Sequence, residues 1–117
     1  MNETNEKILL DNIKEFTTKA EEAERDTAYN TAVTLYFKAI AVIVDLFIFK
    51  KERIIPSNHT HRFRILEEKY PQLYALVDKD FPLYQHSYKL KFNQEYAEVL
   101  KNDFKKIVEF TQIKLNR

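Results

Sequence analysis

The chain has 117 residues, of which 44% are hydrophobic and 32% charged, and its net charge is +1. This length and composition predict one folded domain, residues 1–117, and exclude a disordered chain, since enough apolar surface is available to form a core. The absence of cysteine excludes disulfides and thiolate metal sites, and the absence of glycine excludes the phosphate-binding loops of Rossmann and Walker type.

The first predicted element is an amphipathic helix from about Thr4 to Arg25. Its apolar residues recur at spacings of three and four, which places them on one face: Leu9, Ile13, Phe16, Ala20 and Ala23. Residues 1–26 hold four Lys/Arg against eight Asp/Glu, so this helix is acidic, whereas the rest of the chain is net basic. The start of the chain is polar and lacks the apolar region of a secretion signal, which predicts a cytoplasmic protein.

A second helix is predicted to follow directly, with Asp26 or Thr27 as its N-cap. Residues 32–49 are apolar around most of the helix circumference, a pattern that predicts the central helix of a bundle. Lys38 and Asp45 interrupt this stretch, so it falls short of the roughly 20 apolar residues that span a membrane. We therefore expect a buried core helix and no membrane partner.

A proline-containing loop separates the second helix from the rest of the chain. Ser57 or Asn58 is the predicted N-cap of a third helix, Pro71 begins a short fourth helix, and residues 80–82 repeat that start signal for another turn or two. Asn93 is the predicted N-cap of the last helix, which is long. The sequence thus predicts an all-α, up-and-down helical bundle of three long helices with short helices in the middle.

Residues 50–64 form the only dense basic segment, with five Lys/Arg and one Glu. The segment ends at a predicted helix N-terminus, where free N–H groups and the helix dipole favour an anion such as phosphate. The candidate phosphate-binding residues in it are Lys51, Arg53, His59, His61, Arg62 and Arg64. The alternative is a solvated loop whose long side chains extend into water.

His59 and His61 also resemble a short pair of metal ligands. Without cysteine, and with only one further histidine in the chain, such a pair lacks the ligands that complete a zinc site. We therefore predict neither a metal site nor a cofactor.

Tyr84 and Tyr88 lie four residues apart and share one helix face, with His86 between them. This polar and aromatic group could stack a base or hold a phosphate. Alternatively, the two tyrosines complete the core with their hydroxyls at its rim. His86 and His59 are the candidate acid–base residues, but neither can be paired with a nucleophile from spacing alone, so no catalytic residue is assigned.

Three segments of the chain carry a resemblance to a known family, namely Tyr29–Ala39, Pro56–Leu66 and Tyr84–Tyr88. In this order they resemble the HEPN family, in particular its small single-domain archaeal and bacterial members, and the likeness extends over about residues 7–115. The resemblance implies an up-and-down helical bundle and a homodimer. It also implies association with a nucleotidyltransferase partner or with RNA-directed defence, as in toxin–antitoxin systems.

Some HEPN proteins cleave RNA with an arginine that is followed four to six residues later by a histidine near the start of the last long helix. Here no arginine lies between Arg64 and Arg117, and the formal match from Arg53 to His59 lies in the loop. The resemblance therefore implies a non-catalytic member that dimerises and binds a partner protein, a nucleotide or RNA phosphate. Two alternatives stay open: a metal-independent ribonuclease that uses His86 or His59, and a scaffolding protein assembled through charge complementarity.

Overall fold

Five helices make up 81% of the chain that the structure, a computed structural model, describes, namely residues 3–115. They are α1 (Glu3–Arg25), α2 (Tyr29–Glu52), α3 (His59–Lys69), α4 (Pro71–His86) and α5 (Gln94–Thr111). No described residue lies in a strand. The radius of gyration is 13.7 Å, close to the value of about 13 Å typical of compact domains of this length. The predicted all-α bundle is confirmed.

α2 lies at the centre of the bundle. It packs against α1, α4 and α5, and α3 packs against α4. More than half of the residues of α2 are buried, and buried side chains from all five helices form one hydrophobic cluster. Neighbouring helices therefore cover the apolar circumference of α2 on several sides, as its sequence predicts.

By length and mean hydropathy alone, α2 could cross a membrane, and among residues 3–115 it is the one helix of which this is true. We expected that Lys38 and Asp45 would make this stretch too polar to span a membrane. This expectation is wrong, because the mean hydropathy of the helix remains high despite these two charges. In the structure, however, 78% of its most apolar window is buried inside the protein. This burial supports the interpretation of α2 as a core helix.

The turn between α1 and α2 is tight. Thr27 has a left-handed conformation with φ of 58°, its N–H donates to the Glu24 carbonyl, and the Ala28 N–H donates to the Ala23 carbonyl. This pair of bonds is the Schellman ending of a helix. The prediction that Asp26 or Thr27 caps α2 is wrong. The N-cap is Ala28, which makes no side-chain hydrogen bond, because Thr27 adopts the left-handed conformation that ends α1.

Replacing Thr27 with glycine is expected to stabilise the protein by about 1 kcal/mol, because the left-handed conformation costs a residue with a Cβ roughly 1–2 kcal/mol. Thr18, which is exposed inside α1, is the matched control. Thr18→Gly should destabilise the protein by about 0.3 kcal/mol, since glycine is a poorer helix former than threonine. Urea unfolding measures both changes, and a loss of stability in both variants would contradict strain at Thr27.

α4 is one continuous helix of 16 residues, with Pro82 inside it. The prediction of a separate short helix that begins at residues 80–82 is therefore wrong. The helix that begins at Pro71 is also not short, because α4 is nearly as long as α5, which has 18 residues. Proline has no N–H, so the carbonyl of Asp78 lacks its helical donor. Phe81 and Tyr84, on either side of the proline, pack against the core, and this tertiary packing overrides the local start signal.

The remaining predicted helix starts are confirmed. Asn58 caps α3, its Oδ1 accepting the His61 N–H at 2.8 Å. Asn93 caps α5, its Oδ1 accepting the Tyr96 N–H at 3.4 Å. Pro71 lies in the first turn of α4, where its missing N–H costs no helical hydrogen bond.

The connection between α4 and α5 is fixed to the start of α2 by Asn30. Its Nδ2 donates to the carbonyls of Ser87 at 2.9 Å and Leu90 at 2.5 Å, and its Oδ1 accepts the N–H of Phe92 at 2.8 Å. Thr34, one turn further along α2, donates a hydrogen bond to Ser87 Oγ at 3.0 Å. Side chains of α2 thus form hydrogen bonds with backbone groups that no helix or sheet would pair. These bonds hold the connection in a defined conformation.

Candidate functional site

Side chains at the start of α3 cap the helix reciprocally. The His61 N–H donates to Asn58, and the backbone N–H of Ser57 in turn donates to His61 Nδ1 at 3.1 Å. This arrangement resembles a capping box, except that the side chain at N3 is an imidazole and that it accepts from the residue before the N-cap. His61, predicted to bind phosphate, therefore holds the helix start with one ring nitrogen, and its other nitrogen carries the proton.

Asp45 and Arg62 form a buried ion pair between α2 and α3. Arg62 Nε donates to Asp45 Oδ1 at 2.6 Å, and Nη2 donates to Oδ2 at 2.8 Å, a bidentate geometry. The two residues are only 8% and 7% exposed, respectively. Sequence analysis placed Arg62 among the phosphate-binding residues, but the structure places it in the interior, where a carboxylate already matches its charge.

His59 lies beside this ion pair. Arg62 Nη1 is 2.5 Å from His59 Nδ1, and since a guanidinium can only donate, Nδ1 accepts and the ring proton lies on Nε2. Burial is the main cause that lowers the pKa of His59. The positive charges of Arg62 and Lys38 lower this pKa further, against the opposing charge of Asp45. His59 is therefore a neutral imidazole near pH 7, and its free nitrogen is a hydrogen-bond donor.

A cleft of about 200 Å³ lies between α1, α2, the start of α3 and the end of α4. Its lining residues are Phe16, Phe37, Lys38, Ala41, Val42, His59 and Tyr84. The walls are mostly apolar, and Lys38 and His59 supply a positive charge and an N–H donor. A small cleft of this kind suits a planar ring that carries an anionic or hydrogen-bond-accepting group.

Aromatic rings from α2 and α4 meet at this cleft. Tyr84 stacks on Phe37 with a distance of 5.0 Å between ring centroids and an angle of 20° between planes. Phe81 contacts the ring of His59 at 4.9 Å. Lys38 Nζ lies 5.7 Å from the centroid of the Tyr84 ring, within the range of a cation–π contact. Tyr84 thus packs on the core with one face and borders the cleft.

His86 is the last residue of α4, and Tyr88 lies two residues beyond it. The helix face that Tyr84 and Tyr88 were predicted to share therefore ends before Tyr88. Tyr88 is 76% exposed, and its ring meets that of Tyr84 edge-on at 6.3 Å. His86 is also exposed, and its backbone carbonyl accepts the N–H groups of Lys89 and Leu90. The structure therefore places Tyr88 next to a residue of the cleft, whereas His86 is not among the residues that line it.

The other predicted basic residues are not among those that line the cleft. Lys51 Nζ lies 5.8 Å from the centroid of the Phe47 ring, and Lys51 borders a different cavity. Arg53 ends α2 in a left-handed conformation with its guanidinium 5.9 Å from the Phe49 ring. Arg64 is exposed on α3. The segment 50–64, continuous in sequence, is thus divided in space.

Sequence analysis missed the contribution of Lys38 and Asp45 to the site. It treated both only as interruptions of an apolar stretch. They lie seven residues apart, which is two helical turns, so they share one face of α2. Two charges on one face of an otherwise apolar helix indicate buried partners or a ligand, and this signal could have found them.

The described residues contain no metal-binding cluster, and known proteins give no match that assigns a function to the cleft. Residues 3–115 contain no group of three or more His, Cys, Asp or Glu side chains that could hold a metal ion. Comparison with protein-family models, with curated proteins and with solved structures gives no significant match. The functional hypothesis therefore rests on the geometry of the cleft and on the sequence resemblance.

Proposed function

We propose that this protein is a non-catalytic, HEPN-like helical bundle that binds a nucleotide or single-stranded RNA at the cleft between Lys38, His59 and Tyr84. The observation that carries the proposal is the placement of Lys38 Nζ over the Tyr84 ring at 5.7 Å, beside a neutral histidine, at the mouth of an apolar cleft. Cation, aromatic ring and N–H donor are the groups that proteins use for phosphate and base together.

Each of these groups has a separate role in the proposal. The exposed ring of Tyr88 offers a surface on which a base can stack, next to Tyr84. The ammonium of Lys38 neutralises a phosphate, which gives an affinity that falls with salt concentration. His59 donates from Nε2 to a carbonyl or phosphate oxygen.

The contacts of Arg62 and His59 support binding without cleavage. The guanidinium of Arg62 is bonded to Asp45 and His59, so it is not available to hold a scissile phosphate bidentately. The lone pair of His59 Nδ1 faces Arg62, and Nε2 already carries a proton, so neutral His59 has no nitrogen free to act as a base. Ribonuclease activity stays the alternative, and an RNA cleavage assay tests it.

The HEPN-like assignment forms the wider part of the proposal, together with a homodimer, a nucleotidyltransferase partner and a toxin–antitoxin-like setting. The all-helical fold of residues 3–115 and the helix starts at Tyr29 and His59 support it. In this assignment α1, α2 and α5 are the long up-and-down helices, and α3 and α4 form the middle of the bundle.

Charges on α1 give little support to the alternative of a scaffold that assembles through charge complementarity. Glu6 pairs with Lys50 at 3.0 Å, and Glu24 pairs with Lys101 at 3.3 Å. Part of the acidic surface of α1 is thus matched by basic residues of α2 and α5 within the same chain, which leaves less of it for a neighbour.

Lys38→Glu is expected to weaken the binding of single-stranded RNA at low salt by roughly tenfold, because it replaces a phosphate contact with repulsion. Tyr88→Ala should weaken binding by roughly five- to tenfold or more, since stacking of one base on an aromatic ring contributes about 1–3 kcal/mol. Fluorescence anisotropy with a short labelled RNA measures both effects, and adenosine monophosphate as competitor shows whether a single nucleotide suffices.

Lys105→Glu is the matched control, because Lys105 is exposed on α5 and undergoes the same charge change. It should alter the affinity by less than about twofold if binding is confined to the cleft. Equal weakening by Lys38→Glu and Lys105→Glu, or no binding by the unaltered protein, would reject the proposal. RNA cleavage that is lost in His59→Ala or His86→Ala would favour the ribonuclease alternative.

A further inference from the structure

Two aspartates, Asp80 on α4 and Asp103 on α5, are buried beside the same lysine. Asp80 is 0% exposed and Asp103 is 2% exposed. Lys79 Nζ lies 2.7 Å from Asp103 Oδ2 and 3.6 Å from Asp80 Oδ1, and Lys106 Nζ lies 3.8 Å from Asp103 Oδ1. Lys79 thus bridges the two carboxyl groups from the surface, while the groups themselves are shielded from water.

Asp80 lacks the partners that an ionised carboxylate needs in the interior. Residues 3–115 supply no hydrogen-bond partner to either of its carboxyl oxygens, and a buried charge without such partners is costly. Burial is the main cause that raises the pKa of Asp80 to about 8. Asp103, which can accept a hydrogen bond only from a protonated Asp80, raises this pKa further, against the opposing positive charge of Lys79. A proton on Asp80 removes one of two like charges and supplies an O–H donor to Asp103.

The other charged side chains near this pair have different partners. α2, α3 and α5 pack against α4. The charged side chains of α2 contact other residues: Lys38 contacts Tyr84, Asp45 pairs with Arg62, Lys50 pairs with Glu6, Lys51 lies over Phe47, and Glu52 pairs with Lys69. On α5, Lys101 pairs with Glu24 of α1. The positive charges that compensate the aspartate pair therefore come from Lys79 of α4 and Lys106 of α5.

We propose that one proton shared by Asp80 and Asp103 fastens the second half of α4 to α5, and that loss of this proton at alkaline pH loosens α4 at this point. Two carboxylates in contact without water repel each other, whereas one carboxylate and one carboxylic acid form a hydrogen bond. The pair is thus a proton-dependent joint between two helices. This property is independent of the nucleotide or RNA binding proposed above.

α4 rather than α5 is the helix expected to move. α5 buries the side chains of Ala97, Leu100, Asp103, Phe104 and Ile107, whereas α4 buries only Leu73, Val77 and Asp80. Pro82, two residues after Asp80, also removes a backbone hydrogen bond from α4. Phe81 and Tyr84 lie on this part of α4 and contact Phe37 of α2, so loosening of α4 would also disturb the cleft.

The pH dependence follows from the raised pKa of Asp80. Between the ordinary value of 3.8 and about 8, the folded protein binds more protons than the unfolded chain, so its stability falls as pH rises and levels off above that range. His59 acts in the opposite direction below its ordinary pKa of 6.5, because its folded-state pKa is lowered. Measurements between pH 7 and 8 therefore isolate the aspartate pair from His59.

Carbon-13 NMR of the aspartate carboxyl groups in the full chain tests the shared proton directly. We expect one aspartate carboxyl to titrate near pH 8, well above the range of about 3–5 that is usual for aspartate. Amide hydrogen exchange across the same titration should show loss of protection in the second half of α4 relative to α1. Titration of every aspartate below about pH 6 would overturn the proposal.

Urea unfolding of variants tests the same joint through stability. The unfolding equilibrium constant of the unaltered protein should rise about fivefold from pH 7 to 8, because one proton with a folded-state pKa of about 8 is lost across this range. Asp80→Asn should abolish most of this rise, while Asp78→Asn, at an exposed position of the same helix, should retain it. An equal rise in all three proteins would overturn the proposal, and if Asp80→Asn does not fold, the NMR titration still decides.

Discussion

Replacing Arg62 with alanine should lower the free energy of unfolding by about 3–5 kcal/mol, because it leaves the buried carboxylate of Asp45 without its partner. Both Asp45 oxygens accept hydrogen bonds from this guanidinium, at 2.6 and 2.8 Å. His59 would also lose the donor that faces its Nδ1. Urea unfolding monitored by circular dichroism at neutral pH measures the change.

Arg64 supplies the matched control, because it is an exposed arginine two residues further along α3. Arg64→Ala should change the free energy of unfolding by no more than about 0.5 kcal/mol. The double replacement Asp45→Leu with Arg62→Met should recover much of the loss, since a buried ion pair can be exchanged for apolar packing at little cost. If the two single arginine variants are equally stable, Arg62 does not form the buried pair described above.

Truncation of Ile40 in the centre of α2 should be comparably harmful. Ile40 is 0% exposed, and Ile40→Ala is expected to cost about 2–5 kcal/mol through lost apolar burial and the cavity left behind. Because α2 packs closely against α1, α4 and α5, the surrounding structure has little freedom to collapse into this space. The same unfolding experiment gives the value.

Ile8 on α1 undergoes the same chemical change at an exposed position, since 51% of it is accessible. Ile8→Ala should alter the free energy of unfolding by no more than about 0.5 kcal/mol. Similar losses for Ile8→Ala and Ile40→Ala would mean that α2 is not the interior helix of the bundle. Unequal losses in the expected order support the central position of α2 that both its sequence and its burial indicate.

Most of the fold could be predicted from the sequence because periodic apolar residues and local caps are short-range signals. Asn58 and Asn93 each accept an N–H from three residues ahead, so the cap and its partner lie within one turn. The errors occurred where tertiary packing or an unusual backbone conformation overrides such signals. Pro82 continues a helix that local rules would begin anew, and Thr27 takes a left-handed conformation in a chain that has no glycine to offer.

The candidate site was less predictable, because its residues meet only through packing between helices. His59 and Tyr84 were predicted, but each acquires its chemistry from α2, where Lys38 and Asp45 had been interpreted only as breaks in hydrophobicity. Arg62 shows the limit most clearly. Composition identifies it as one of a cluster of basic residues, whereas only the fold places a carboxylate from 17 positions earlier in the chain against the Nε and Nη2 edge of its guanidinium.

Asn30 has a consequence for how distant homologues of this chain can be recognised. One amide donates to two carbonyls and accepts from one N–H, all from residues about 60 positions further on. The side chain of aspartate has no donor, and that of leucine has neither donor nor acceptor. Glutamine has both, but its longer side chain would shift the amide away from these three partners. A homologue that keeps this interhelical connection should therefore keep asparagine here even when its hydrophobic residues have been exchanged freely.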